Sequence, residues 1–285
     1  MPRLGVHTFV LTPAWDRKGA ELCIKAAVAN KLDTVEIALL DPAGIDVAHS
    51  RKLAEKHGIR LTCSLGLPAN ATLPDHPAEA EAFLKKALDV AQALGSHCLS
   101  GVTYATLGRL AGAPPKKEHY DVLARVLKKV ARYARSLGLE LGLEPCNRYE
   151  TFLLNTGAQT VALIERIGEP NVFLHFDTYH MNIEEKDFKD AIVAAGKHLR
   201  YIHLSECDRG TPGTGTVDWD GIFKGLKKAK FSGDMVMESF VNMPPDIAQA
   251  LAVWKPVAAG GAKEVMGKGF PFLRRKMKQH GVKQG

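Results

Sequence analysis

The hydrophobic pattern of the chain alternates short apolar runs with longer segments of helical periodicity. The apolar runs predict eight strands: Leu4–Leu11, Thr34–Leu40, Arg60–Leu65, Cys98–Val102, Leu139–Leu143, Val172–Phe176, Leu199–Leu204 and Met235–Phe240. The periodic segments predict helices: Lys18–Asn30, Val47–His57, Pro77–Leu94, His119–Leu137, Gly157–Ile167, Glu184–Ala195, Trp219–Ala229 and Ile247–Val257. In Pro77–Leu94, apolar residues recur at three- and four-residue spacing, which indicates one buried helix face.

Strands that alternate with helices in this way predict an α/β fold, a single (β/α)8 TIM barrel. The strands are almost continuously apolar, as expected when both faces of a parallel sheet are buried. No low-complexity linker interrupts the alternation, so we expect residues 1–285 to form one domain. An open doubly wound sheet is the alternative, but the residues at the strand ends suit a closed barrel better.

Four of the predicted strands end at, or just before, a side chain that can bind a metal. Glu144 follows Leu139–Leu143, and Asp177 follows the run that ends at Phe176. His203 lies near the end of the seventh run and Glu238 follows Met237, so the four are 33, 26 and 35 residues apart. Parallel strands of a closed barrel bring their carboxyl ends to one face, where the active site lies. We therefore expect these four side chains to converge, with Asp177 and the nearby His180 at the start of a loop.

Each of these residues has a structural alternative when it is taken alone. Glu144 or Asp177 could cap a helix or form an ion pair, and His203 could be a hydrogen-bonded core residue. Glu238 is harder to explain structurally, because burial of an unpaired charge is costly. Together, three carboxylates and one imidazole form an oxygen-rich set that suits Mn²⁺, Mg²⁺ or Co²⁺ better than a thiolate zinc site. Cys146 and Cys207 are not needed as ligands.

Composition and charge limit the classes of protein that need to be considered. No apolar stretch approaches the ~20 residues of a membrane span, and the N-terminus lacks a signal-peptide pattern. The five cysteines contain no C-x-x-C pair, so we expect reduced thiols and a cytoplasmic protein. Most of the net charge of +7 lies in a basic C-terminal tail at about 262–285, where Gly261–Gly285 holds seven Lys or Arg and one Glu. This tail could bind an anionic partner, but we expect a solvated terminal helix, without nucleic-acid or membrane binding.

Several sequence blocks resemble the ketose 3-epimerases of the D-tagatose 3-epimerase type, in the xylose-isomerase-like superfamily. The resemblance runs along nearly the whole barrel. It rests on Gly5-Val6-His7-Thr8-Phe9, Glu144-Pro145-Cys146-Asn147-Arg148-Tyr149-Glu150, Leu153-Leu154-Asn155-Thr156, Asp177-Thr178-Tyr179-His180-Met181-Asn182-Ile183-Glu184-Glu185, His203-Leu204-Ser205-Glu206 with Arg209 and Gly213-Thr214-Gly215, and Met237-Glu238-Ser239-Phe240.

The resemblance implies a role for each matched position. The expected ligands of one divalent metal, commonly Mn²⁺, with Co²⁺ or Mg²⁺ as alternatives, are Glu144, Asp177, His203 and Glu238. Glu144 and Glu238 would also be the catalytic acid–base pair that inverts C3 of a free ketose through an enediolate. The substrate-binding residues would be Glu150, His180, Arg209, Phe240 and, at the end of the second strand, Glu36, with Ser64–Leu67 also lining the pocket. We further expect a homodimer or a homotetramer.

The match to the family is incomplete at three places. Leu11 stands where close relatives often have Trp, Tyr104–Arg109 matches poorly, and Pro145-Cys146 is unusual beside a metal ligand. The first two differences affect the expected sugar preference and leave the chemistry unchanged. Three other functions remain open: an aldose–ketose isomerase with much the same residues, a metal-dependent endonuclease of the same superfamily, and a binding protein without catalysis. An endonuclease would need several metals and more His ligands than this set contains.

Overall fold

The eight strands form a closed parallel barrel in the computed structural model, which describes residues 1–285. Each strand pairs with the next one in sequence, and the last pairs with the first. The strands are β1 Arg3–His7, β2 Thr34–Ala38, β3 Arg60–Gly66, β4 Cys98–Val102, β5 Glu140–Leu143, β6 Val172–Asp177, β7 Leu199–Leu204 and β8 Asp234–Met237. The predicted (β/α)8 TIM barrel is confirmed, and the open doubly wound sheet is wrong.

Helices surround the barrel and follow the strands in sequence. They are α1 Arg17–Ala29, α2 Val47–His57, α3 Pro77–Ala93, α4 Lys117–Ser136, α5 Gly157–Ile167, α6 Thr178–Glu184, α7 Phe188–Ala195, α8 Trp219–Lys228, α9 Pro245–Ala250, α10 Gly261–Glu264 and α11 Phe270–Gln279. Short 3₁₀ segments lie at Thr8–Val10, Pro42–Gly44, Ala69–Ala71 and Gly196–His198, and a π-helical turn at Val265–Gly269 joins α10 to α11. None of these helices is long and apolar enough to cross a membrane.

Several predicted boundaries are wrong, most of them at the face where the strands end. The second strand ends at Ala38 instead of Leu40, and the last predicted helix, Ile247–Val257, is Pro245–Ala250. The first strand stops at His7 instead of Leu11, because the His7 side chain accepts a hydrogen bond from the Phe9 amide and starts a 3₁₀ turn. The eighth strand stops at Met237 instead of Phe240. No loop follows Asp177, because its carboxylate caps α6 by accepting a hydrogen bond from the Tyr179 amide at 2.8 Å.

The interior of the barrel is filled by side chains that alternate with the outward-facing ones along each strand. Below the ligand-type residues, a small buried cluster fills the interior: Cys98, Phe173, Tyr201 and Val236. At the opposite end of the barrel, Asp234 is buried and accepts two hydrogen bonds from Arg3 at 2.6 and 2.7 Å, while His97 Nε2 lies 3.1 Å away. Burial alone would raise the pKa of Asp234, but these two partners lower it to about 2.

The basic C-terminal segment packs against the barrel. Phe270, Leu273 and Met277 of α11 are buried in the main core. The Arg274 guanidinium donates to the Asn30 carbonyl at 2.6 Å, and Lys276 donates to Asp220 at 2.8 Å. The assignment of residues 1–285 to one domain stays a prediction, which this packing supports.

Candidate metal centre and active site

The four ligand-type residues meet at the carboxyl ends of their strands. Glu144 follows β5, Asp177 ends β6, His203 lies one residue before the end of β7, and Glu238 follows β8. Nδ1 of His203 lies 3.5 Å from Glu144 Oε1, 3.9 Å from Asp177 Oδ2 and 3.4 Å from Glu238 Oε2. All four side chains are buried. The structure therefore confirms that these four strand ends converge.

The chemistry of this cluster fits a divalent metal ion. His203 Nδ1 is buried and has no hydrogen-bond partner, although three carboxylates face it. Its other ring nitrogen, Nε2, lies 2.9 Å from Glu36 Oε2, an arrangement that orients metal-binding imidazoles in many proteins. Hard oxygen donors with one imidazole suit Mn²⁺, Mg²⁺ or Co²⁺. These four side chains therefore lie close enough together to share one ion, with His203 Nδ1 facing the three carboxylates.

Two neighbouring groups also place metal-binding atoms close together. Glu144 and His203 form one such group with His175, whose ring is fully buried on β6. Glu144 forms another with Cys146 and His180. Burial raises the pKa of the Cys146 thiol well above its usual value, so this sulfur is a poor ligand at neutral pH.

Arg209 supplies the positive charge of the site. Its Nη1 pairs with Asp177 Oδ2 and lies 2.5 Å from Glu238 Oε2. The guanidinium also packs 4.0 Å from the ring centroid of Tyr179 and 4.3 Å from that of Phe240, in cation–π contact. Arg209 has a positive φ of 61°, which an L-residue adopts only when its surroundings enforce it.

The loop that carries Arg209 is held by a buried carboxylate. Glu206 accepts hydrogen bonds from the amides of Gly213 and Val217 at 2.8 and 3.1 Å. It also accepts one from the Trp219 indole at 3.0 Å. These bonds join both ends of the segment between β7 and α8, so Arg209 is presented by a rigid loop.

The two glutamates of the cluster lie in different electrostatic environments. Burial raises the pKa of Glu144 to about 7, although the His203 contact opposes this shift. Burial has the same tendency at Glu238, but the positive charges of His203 and Arg209 outweigh it and hold the pKa well below the usual value. Two carboxyl groups whose pKa values are driven apart are suited to opposite roles as proton donor and acceptor.

A partly open cavity lies above the cluster. Of the expected substrate-binding residues, Glu150, His180, Arg209 and Phe240 line it, as do Ser64, Leu65 and Gly66. Glu150 Oε2 and Arg209 Nε are buried without a hydrogen-bond partner, so both remain free to bind a polar ligand. His180 is held by the Asn147 amide, which donates to its Nδ1 at 3.1 Å.

Glu36 has a different position from the one expected. It lies in the middle of β2 instead of at its end, is fully buried, and is not among the side chains that line the cavity. Its Oε2 accepts a hydrogen bond from the Tyr201 hydroxyl at 2.5 Å and faces His203 Nε2. Burial alone would raise its pKa, but the charge and hydrogen bond of His203 lower it to about 2. Glu36 therefore supports a ligand from below.

Several residues of the site were missed by sequence reasoning. His7 lines the cavity, and its Nδ1 lies 3.8 Å from Glu238 Oε1. His175 and Tyr201 surround His203 with ring centroids 4.1 and 5.9 Å away. The sequence contained a signal for all three. His175 and Tyr201 lie two positions before Asp177 and His203, so the alternation of side chains along a strand points them to the same side as these residues. His7 is a polar residue inside an apolar run.

Two of the three places where the sequence departs from the family contribute to the cavity wall. The Tyr104 hydroxyl donates to the Glu144 carbonyl at 3.0 Å and so supports the strand end that carries this ligand. Cys146 is buried in the wall and lines the cavity, as does Leu107 of the poorly matched segment.

Comparison with known proteins identifies the family. Residues 24–257 match the model of the xylose isomerase-like TIM barrel. The L-ribulose 3-epimerase of Methylomonas sp. (strain DH-1) is 37% identical over 95% of this chain and 96% of the relative. The ketose 3-epimerase of Arthrobacter globiformis is 34% identical over 96% of both chains. The crystal structure of the D-allulose 3-epimerase from Methylomonas sp. in complex with D-allulose superposes with a TM-score of 0.92, at 36% identity over 96% of this chain and 97% of the other. The chain therefore belongs to the ketose 3-epimerases of the xylose isomerase-like TIM barrel family.

Proposed function

We propose that this protein is an isomerase that inverts C3 of free ketoses. Relatives named L-ribulose 3-epimerase, ketose 3-epimerase and D-psicose 3-epimerase support this reaction class. The observation that carries the proposal is the meeting of Glu144 and Glu238 at one point, 3.5 and 3.4 Å from the same His203 nitrogen. Epimerisation needs two such groups, one to remove the C3 proton and one to return a proton to the other face.

The two glutamates serve as the acid–base pair. They come from β5 and β8, which are three strands apart in the closed barrel, so their carboxylates reach the substrate from different sides. Each carboxyl group can give or take a proton, so the two can exchange roles when the direction of the reaction reverses. A divalent metal held by Glu144, Asp177, His203 and Glu238 would act as a Lewis acid toward the sugar oxygens.

The polar groups of the cavity bind and orient the sugar. Arg209 places fixed positive charge where negative charge develops on the substrate oxygens. Glu150 and His180 accept or donate hydrogen bonds to hydroxyl groups, and Phe240 forms an apolar wall. Arg209 is the single Lys or Arg side chain that lines the cavity, and it already pairs with two carboxylates. We therefore expect free ketohexoses or ketopentoses to have a higher kcat/KM than their phosphates.

We propose Mn²⁺ as the metal, with Co²⁺ or Mg²⁺ as alternatives, because the donor set is rich in carboxylate oxygen. The substrate is a small-molecule ketose. Assembly as a homodimer or homotetramer, a cytoplasmic location and the absence of nucleic-acid or membrane partners stay predictions.

The test is a set of epimerisation reactions in D₂O, followed by NMR at low conversion. With two different carboxylates at work, the C3 hydrogen of the product comes from solvent, and C1 stays unlabelled. Exchange at C1 or C2 would instead identify an aldose–ketose isomerase. Retention of the original C3 hydrogen would rule out a two-base mechanism.

The matched variants are Glu144→Gln and Glu238→Gln. Each keeps the shape of the side chain but removes one member of the acid–base pair, so turnover should stop in both directions. If either variant kept the wild-type kcat, the glutamate that it replaces would not belong to the acid–base pair.

A further inference from the structure

A buried histidine beneath the cavity has no role in the proposed mechanism and no hydrogen-bond partner. His175 lies on β6, two residues before Asp177, and is completely buried. Neither of its ring nitrogens is hydrogen bonded. Burying an unpaired polar group costs free energy, so such a residue calls for an explanation in a native fold. His175 does not line the cavity and therefore cannot contact the sugar.

The barrel aims this ring at the ligand cluster. The pairing of β6 with β7 shifts register between Leu174 and His175, so that Leu174 pairs with Leu199 and His175 pairs with Tyr201. Irregularities of this kind re-aim side chains and are common beside active sites. The ring then packs edge-on between Tyr201 and His203, with centroid distances of 4.5 and 4.1 Å. These contacts leave the ring little freedom to turn.

One carboxylate of the cluster, that of Glu144, faces this ring. His175 Nδ1 lies 4.0 Å from Glu144 Oε2, while the other oxygen of this carboxylate, Oε1, faces His203 Nδ1 at 3.5 Å. A separation of 4.0 Å is too long for a hydrogen bond, and a shift of about 1 Å would close it. Contacts of catalytic groups are often long in a free enzyme and shorten in the reacting complex.

We propose that His175 is a positioning residue for Glu144. Its Nδ1–H donates a hydrogen bond to Glu144 Oε2 in the working enzyme and sets the rotation of the carboxylate about its terminal bond. Glu238 is oriented separately, by Arg209 at 2.5 Å. Each glutamate of the acid–base pair thus has its own orienting group, a buried imidazole for one and a guanidinium for the other.

The inference rests on the proposed function, and three substitutions at one position test it. The amide nitrogen of Asn falls close to the position of imidazole Nδ1, the amide nitrogen of Gln falls close to Nε2, and Leu offers no donor. If Nδ1 carries the role, His175→Asn retains most of kcat, whereas His175→Gln and His175→Leu lower kcat about 10- to 100-fold. KM for the ketose and the metal content should be unchanged in all three.

A second readout separates positioning from a loss of packing. The deuterium isotope effect on kcat, measured with a ketose deuterated at C3, should rise in His175→Leu, because proton transfer by Glu144 becomes rate-limiting. The control is Cys98→Ala, which removes buried volume from the barrel interior below and should leave the isotope effect and kcat unchanged. Thermal unfolding of each variant shows how much stability has been lost.

Several results would overturn the assignment. Equal kcat in the Asn and Gln variants, or wild-type kcat in the Leu variant, would show that no donor at Nδ1 is needed. Loss of bound metal in His175→Leu, measured by elemental analysis, would make His175 a ligand instead. These outcomes leave the proposed function intact. A wild-type enzyme that inverts no ketose at C3 would overturn both.

Discussion

The substitution Glu36→Gln tests what the buried carboxylate beneath the site does. Glu36 binds two groups at once, the Tyr201 hydroxyl at 2.5 Å and His203 Nε2 at 2.9 Å. Glutamine has nearly the same shape, but it presents one acceptor oxygen and turns an NH₂ group toward a second donor. The substitution therefore removes the negative charge that holds the His203 ring with Nδ1 facing the carboxylates.

The expected effect of this substitution is a lower affinity for the metal. Loss of a partner that orients a metal-binding imidazole typically weakens metal affinity 10- to 100-fold, or about 1.4–2.7 kcal/mol. The pKa of Glu36, lowered to about 2 by His203, is consistent with a strong interaction between the two groups. We expect an effect within this range and little change in KM for the ketose, because Glu36 does not line the cavity.

Metal affinity is measured by competition with a chelator of known strength, followed by elemental analysis of the protein. Tyr201→Phe is the matched control, because it removes one hydrogen bond to Glu36 and leaves the carboxylate on His203; its effect should be smaller. If Glu36→Gln kept wild-type metal affinity and raised KM instead, Glu36 would contact the sugar, as its family position implies, and the positional argument would be refuted.

Three further predictions concern the metal, the backbone and pH. Exhaustive chelation should abolish epimerisation, and Mn²⁺ or Co²⁺ should restore it; full turnover by protein shown to be metal-free would contradict the proposed centre. Gly101→Ala should destabilise the fold by about 2 kcal/mol or more in urea unfolding, because φ is +94° and a Cβ would lie 2.5 Å from a neighbouring carbonyl oxygen, whereas the control Gly267→Ala has open space and should be neutral or stabilising. Asp234 has a pKa of about 2 in the folded protein, below its ordinary 3.8, so its ionised form should add about 2 kcal/mol to the free energy of unfolding above pH 4. This stabilisation is lost as the pH falls toward 2, and Asp234→Asn should make the free energy of unfolding depend less on pH in this range.

The sequence by itself determined the barrel and the set of residues at its mouth. Eight apolar runs that alternate with amphipathic segments leave few arrangements in which every apolar face is buried. Once the strands are parallel and the barrel is closed, residues at the strand ends must share one face, whatever their distance along the chain. For that reason Glu144, Asp177, His203 and Glu238 could be grouped before any coordinates were known.

Only the tertiary structure decided where the elements end and which side chains meet inside the barrel. The first strand ends at His7 because its imidazole accepts a hydrogen bond from the Phe9 amide. Such a local side-chain bond leaves no trace in the hydrophobic periodicity. Glu36 and His203 are 167 residues apart in sequence, and the depth of each in the barrel follows from the stagger of the strands. The register shift that aims His175 at Glu144 is likewise a property of two paired strands. Periodicity along one chain specifies which face a residue occupies, whereas its height and its partners depend on how neighbouring strands are aligned.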